Sequence, residues 1–249
     1  MASPPVRIQV CGRIAVETGG ARRENDLPGR QGRLLLAYLV IHRHEPVSLD
    51  ALTEALWDER PPAAALAALH ALLSKLRRVL GCIVEHGTAR LALPPDTWVD
   101  LDTARDAIHR AESAAAQGEW GRAWGAAQTA LFISRRGFLP GETVPWAEPI
   151  RHELDLLRQR SLETYADAAL HIGRAELATA ERASRELIGL APFRETAHRL
   201  LMKTLAEQGN TAEAIQAYTA LRRKLRDELG VSPSPETQQV YAALMSGRP

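Results

Sequence analysis

Pro192-Phe-Arg-Glu195, Arg199-Leu-Leu-Met202, Ala206-Glu-Gln-Gly209, Glu213-Ala214, Tyr218, Leu221-Arg222, Glu228-Leu-Gly-Val231 and Pro233-Ser-Pro-Glu-Thr237 form the stretch whose pattern decides the fold. Ala197, Leu200, Leu201, Thr204 and Leu205 recur at helical spacing before a turn, and Ala214, Tyr218, Leu221 and Leu225 do so after it. Gly209-Asn210 suits a left-handed helix C-cap. Gly230 and the two prolines stop the second helix. Ser234, with Pro235 and Glu236 behind it, reads as an N-cap with proline at the first helical position. This is an antiparallel helix pair with the start of a third.

Working outward, the same unit recurs. Gly118, Gly173 and Gly209 are each followed five residues later by an alanine, Ala123, Ala178 and Ala214. The glycine ends one helix, and the alanine lets the next approach closely, as in a tetratricopeptide pair. Further helices are expected over 102–117, 119–133, 146–172 and 174–190, with Gly137 to Pro145 a loop that makes the array irregular. Residue by residue, Pro192–Thr237 resembles the C-terminal half of the bacterial transcriptional activation domain. That tetratricopeptide-like module occurs in the antibiotic regulatory proteins of filamentous bacteria (the Streptomyces antibiotic regulatory protein, or SARP, family).

The N-terminal part has a different grammar. Residues 6–10 alternate apolar and polar, as a half-buried strand does, and Ile14-Ala-Val16 can pair back across the turn at Gly12. Gly19-Gly20 to Gly29 reads as a loop or a further hairpin. From Arg30 a helical face runs through Leu34, Leu35, Tyr38, Leu39 and Ile41. Ser48 or Asp50 can cap a second helix, Leu49 to Trp57, and Pro61-Pro62 opens a third that Gly81 ends. Ile83-Val84 and Leu91-Ala-Leu93 close as a hairpin around Gly87. Strands, three helices and a hairpin is the order of a winged helix-turn-helix. Leu34-Leu35, Leu39, Pro46-Val47, Leu52, Leu56-Trp57, Pro61-Pro62 and Leu76-Arg77-Arg78-Val-Leu80-Gly81 are similar to the DNA-binding domain of the same regulators. The expected fold is mainly α: a winged helix-turn-helix over 1–97, then an all-α tetratricopeptide-like domain over 98–249.

Composition is that of a globular chain, with 249 residues, 45% hydrophobic, 24% charged and a net charge of +1. Cys11 and Cys82 stand apart from each other and from any histidine pair, which predicts two reduced thiols and neither a disulfide framework nor zinc. No apolar run approaches the roughly 20 residues of a membrane span, and no signal-peptide core is visible. A cytoplasmic, nucleoid-associated protein is expected. Gly-x-Ser-x-Gly, Walker loops, His-Glu-x-x-His and Cys-x-x-Cys are all absent, so no enzyme activity, cofactor or metal is expected. Larger relatives append an ATPase domain, and the missing Walker motif reads as a short, stand-alone regulator.

The third helix is where chemistry concentrates. Segment 62–81 holds Lys75, Arg77 and Arg78 and no acid. His70, Ser74 and Arg78 follow one another at four-residue steps and share a face, with Lys75 and Arg77 beside them. A major groove accepts one helix, and such side chains read base edges or bind phosphate. His86 and Arg90 are the candidate wing contacts. The plainer reading of the same residues is the solvated end of an amphipathic helix. Ala67, Leu72 and Thr88-Ala89 stand where relatives carry polar or basic residues and a Gly-Tyr wing, and they supply few hydrogen bonds. The resemblance implies a transcriptional activator that binds promoter repeats as a homodimer and contacts RNA polymerase. The alternative is a helical-repeat interaction protein whose DNA-reading helix has lapsed.

Overall fold

Apolar–polar alternation at the N-terminus becomes, in the computed structural model, strand β1 (Arg7–Gln9), paired antiparallel to β2 (Ala15–Thr18) with Ile8 opposite Val16. The structure describes residues 6–58, 60–85 and 87–246. The glycine-rich stretch after β2 is a hairpin: β3 (Ala21–Arg22) turns back on it with Glu17 opposite Arg22. Next come α1 (Gly29–Ile41), β4 (Val47–Ser48), α2 (Leu49–Trp57), α3 (Ala65–Leu80), β5 (Cys82–Glu85) and β6 (Thr88–Leu91). β7 (Trp98–Val99), which the sequence reads only as a lead-in to a helix, joins the first sheet parallel to β1. The two sheets have the orders β3-β2-β1-β7 and β4-β6-β5.

Helix α1 is the hub of this part. Leu34, Leu35, Leu36, Ala37, Leu39 and Val40 are all buried, so the helix is apolar nearly all round and is covered on several sides. It packs on α2, α3 and β6. Leu52 of α2 and Leu69, Leu73 and Leu76 of α3 complete the core. The Ser48 hydroxyl accepts from the Ala51 N–H and so caps α2, which settles the choice between Ser48 and Asp50.

The remaining helices are α4 (Asp100–Ala116), α5 (Trp120–Ser134), α6 (Glu148–Ile172), α7 (Leu177–Leu190), α8 (Glu195–Glu207), α9 (Thr211–Leu229) and α10 (Pro235–Met245). The chain folds into two compact units, 1–103 with 136–152, and 104–135 with 153–249. The sequence pattern, with the resemblance it carries, places a single boundary at residue 97. The chain instead leaves the first unit after Thr103, re-enters it for Arg136–His152 and leaves again.

That returning segment is built into the first unit. Cys11 and Phe138 form a β-bridge, and the Gly12 N–H donates to the Gly137 carbonyl at 2.7 Å. The Phe138 ring is 1% exposed, among the largest side chains fully enclosed in the protein. Arg151 donates to the carbonyls of Phe138 and Leu139, both at 3.1 Å. Asp100, wholly buried, accepts from the backbone N–H groups of Val10 (2.9 Å) and Cys11 (3.1 Å) and faces Arg136 at 3.7 Å.

In the second unit consecutive helices pack as antiparallel pairs, α7 on α8, α8 on α9, and α10 against both α8 and α9. The turn at Gly209 is a Schellman motif: Gly209 has φ +83°, and the Asn210 N–H reaches back to the Leu205 carbonyl. Leu201, Met202, Leu205, Ala214 and Tyr218 form one cluster, with Val240, Tyr241 and Leu244 packed on it. Leu131, Leu162, Ala166, Leu187 and Ala197 form another. Two of the three glycine-plus-five alanines, Ala123 and Ala214, are fully buried. Ala178 is exposed and corrects the third: residues 174–176 form a turn, α7 begins only at Leu177, and Ala180 takes the buried place.

Candidate nucleic-acid interface

Four leucines at helical spacing, Leu69, Leu73, Leu76 and Leu80, nail one face of α3 to the core. What is left over is therefore fixed by geometry. His70, Ser74, Lys75, Arg77 and Arg78 are all exposed, as are Ala67 and Ala71 between them. Leu66, in the first turn, is 53% exposed on the same outer side. The sequence-predicted residues of the helix thus share a solvent-facing surface that carries positive charge. Leu72 is half-buried, so of the two departures on the helix only Ala67 lies on that surface.

The two ends of α3 differ. The N-terminus, at Ala64, has no side-chain cap. At the C-terminus Gly81 takes φ +69° and donates to the Arg77 carbonyl. A left-handed residue there lets the chain turn at once into β5, with the Ala92 N–H returning to the Gly81 carbonyl at 2.9 Å. Arg77 and Arg78 in this last turn also suit the negative end of the helix dipole, the ordinary structural reason for basic residues in that position.

The hairpin of β5 and β6 is short. Glu85 pairs with Thr88, and Gly87 takes φ +77° next to Thr88. Its tip is tied down, because the Gly87 carbonyl accepts from the N–H of Leu49, the first residue of α2. Thr88 spends its hydroxyl on the Glu85 carbonyl, and Ala89 is buried opposite Val47. Arg90, expected as a contact of this hairpin, is exposed on β6. His86 lies outside the described residues.

Among the described residues, no group of three or more His, Cys, Asp or Glu side chains is placed to hold a metal ion. No helix among them is long and apolar enough to cross a membrane.

With this geometry in hand, comparison with known proteins gives a consistent answer. The model of the bacterial transcriptional activator domain matches residues 99–245. The chain belongs to that family. The regulatory protein AfsR of Streptomyces coelicolor is 35% identical over 222 residues, which are 88% of this chain and 22% of AfsR. AfsR of Streptomyces griseus is 30% identical over 96% of this chain and 24% of its own length. The chain therefore spans about a quarter of these relatives. The transcriptional regulatory protein MoaR1 of Mycobacterium tuberculosis matches more of its own length, 80%, at 28% identity over 98% of this chain. Among solved structures, Mycobacterium tuberculosis EmbR, determined with a low-affinity phosphopeptide, superposes with a TM-score of 0.83 at 25% identity, over 98% of this chain and 66% of EmbR. This family fold is the expected one, mainly helical with small N-terminal sheets.

Sequence patterns reached the face of α3 because it follows from periodicity. They missed the two side chains that donate to carbonyls at the end of α2, Gln31 and Trp146. Their partners lie 25 and 91 positions away, and no local pattern carries that information.

Proposed function

We propose that the chain is a DNA-binding transcriptional activator. Its α3 surface would enter the major groove of promoter DNA, with Ser74, Arg78 and His70 toward base edges. Lys75, Arg77 and Arg90 would lie toward phosphates. The observation that carries this reading is the division of α3 into a leucine face packed in the core and an outer face with three basic residues and no acid. The relatives, named regulatory and transcriptional regulatory proteins, support it. In the same reading the helical unit assists dimerisation on repeated sites and contacts RNA polymerase, at promoters of secondary-metabolite genes, in a nucleoid-associated protein. The other reading, a helical-repeat interaction protein, draws on the exposed alanines of α3 and on the wing tip held against α2 rather than projecting.

Salt separates the two. Counterion release makes affinity for duplex DNA fall with salt at about −0.9 per phosphate contact, so Lys75, Arg77 and Arg90 together give a log–log slope of about −2.7. Gel shifts showing that slope support the activator. No retardation even at low salt would leave the interaction protein as the reading.

A further inference from the structure

The last turn of a helix leaves four backbone carbonyls without helical partners, and in α2 these belong to Ala55, Leu56, Trp57 and the cap residue Asp58. The Asp58 N–H closes the last helical bond, to the Glu54 carbonyl at 2.7 Å, and beyond it Trp57 receives the Arg60 N–H at 3.0 Å. The two between are served by side chains from elsewhere in the first unit. Gln31 of α1 donates its amide to the Leu56 carbonyl at 3.2 Å, and the Trp146 indole N–H reaches the Ala55 carbonyl at 2.9 Å.

This arrangement replaces the usual glycine cap. The residue after α2 is Asp58, with φ +52° and ψ −135°, a conformation that an L side chain adopts only when its surroundings impose it. Trp146 is itself well anchored. Its ring meets Tyr38 of α1 edge-on at 5.0 Å and Phe138 at 6.0 Å. Tyr38, Ala55, Trp57, Arg60 and Trp146 line one cleft of about 590 Å³ alongside the turn.

We infer that Trp146 is a positioning residue for DNA binding: by holding the C-terminal end of α2 it sets the conformation of Asp58, where the chain leaves α2, and through it the direction in which α3 presents Ser74, Lys75 and Arg78. The inference rests on the activator reading for its DNA half. Its structural half stands apart, because the end of α2 can be followed with no DNA present. Gln31 acts with Trp146, one donor from the helix hub and one from the returning segment. A segment inside the region matched by the activator-domain family model thereby becomes part of the DNA-reading apparatus.

The test uses the full chain with Trp146→Phe, which keeps an aromatic ring and loses the N–H, and Gln31→Ala as an independent variant. Without DNA, hydrogen exchange at the Asp58 and Arg60 amides should speed up by about tenfold in both variants, while α8 and α9 amides stay unchanged. With DNA, the probe is a duplex of about 30 base pairs, three helical turns, selected by the wild-type chain from a randomised pool. Affinity should fall about tenfold and the salt slope should become shallower by about 0.9, one phosphate contact. A simple loss of stability would reduce the active fraction and leave the slope as it was. Unchanged exchange at the turn overturns the inference, and so does faster exchange with unaltered affinity and slope. A wild-type chain that selects and binds no duplex instead overturns the activator reading, and exchange alone then decides whether Trp146 holds the turn.

Discussion

The carboxylate of Glu195, in the first turn of α8, accepts the backbone N–H of Ser234 through both oxygens, at 3.1 and 2.9 Å, and so ties α8 to the start of α10. Burial acts against its charge, but hydrogen bonds from Thr237 and Ser234 outweigh it and hold the carboxyl below the ordinary 4.5. A folded-state pKa below the unfolded one contributes stability that is complete above 4.5 and disappears as pH falls through the lower folded value. Glu195→Gln should therefore cost about 1 kcal/mol at neutral pH and progressively less in acid. Urea denaturation of both chains, compared from neutrality to below 4.5, measures this; a constant difference across that range would assign the cost to something other than the charge.

Tyr218 stacks on Tyr241 with ring centroids 4.0 Å apart and planes 10° from parallel, in the cluster that holds Leu201 and Ala214. Tyr218→Ala should cost about 3 kcal/mol, as large aromatic truncations in cores do. A double-mutant cycle with Tyr241→Ala should return a coupling of about 1 kcal/mol for the ring pair. Thermal melts giving no coupling would mean that the rings contribute by burial alone.

On α3 the two kinds of contact separate experimentally. Lys75→Ala and Arg90→Ala should weaken binding to all duplexes alike and reduce the salt slope by about 0.9 each. Ser74→Ala and Arg78→Ala should relax preference at particular base pairs by about 1–3 kcal/mol. Competition between selected and scrambled duplexes over a range of salt resolves both. Equal losses on both duplexes for Arg78→Ala would move it to the phosphate set.

Asp100→Asn is the sharpest change available in the first unit. The carboxylate accepts two backbone N–H groups in full burial, and an amide offers one acceptor oxygen while turning an NH2 toward the second donor. A loss of about 2 kcal/mol is expected, with faster hydrogen exchange at Val10 and Cys11. Unchanged exchange there would show that the strand end is held by other contacts.

What could be read in the sequence followed physical range. The helices of both units, the Ser234 cap, the Gly209 turn and the face of α3 are local consequences of period and capping, and each shows up within a few residues. β7 escaped notice because two residues, Trp98 and Val99, are too few to show alternation. The role of Gly137–Trp146 escaped because it looks like any polar loop with prolines, and only the enclosure of Phe138 and the indole contact to Ala55 reveal it. A fragment ending near Leu93, which keeps the three helices and both hairpin strands that the residue pattern identifies, lacks β7, Asp100, Phe138 and Trp146. It should unfold or lose duplex binding, as circular dichroism and gel shifts would report.

The return of Arg136–His152 to the first unit also sets an order of events on the ribosome. After Thr103 has been added, roughly 50 more residues must follow before that unit has all its parts, a delay of about 2–10 s at 5–20 residues per second. Until Phe138 has been added, the enclosed apolar place its ring fills has no occupant. The nascent chain meanwhile carries α5, whose own neighbours α6 and α7 have yet to be made. Synthesis from the N-terminus thus produces a first unit that cannot close before the second has begun to emerge. Pausing, chaperone capture and translation speed acting between Thr103 and His152 would determine how much of the chain reaches the finished state.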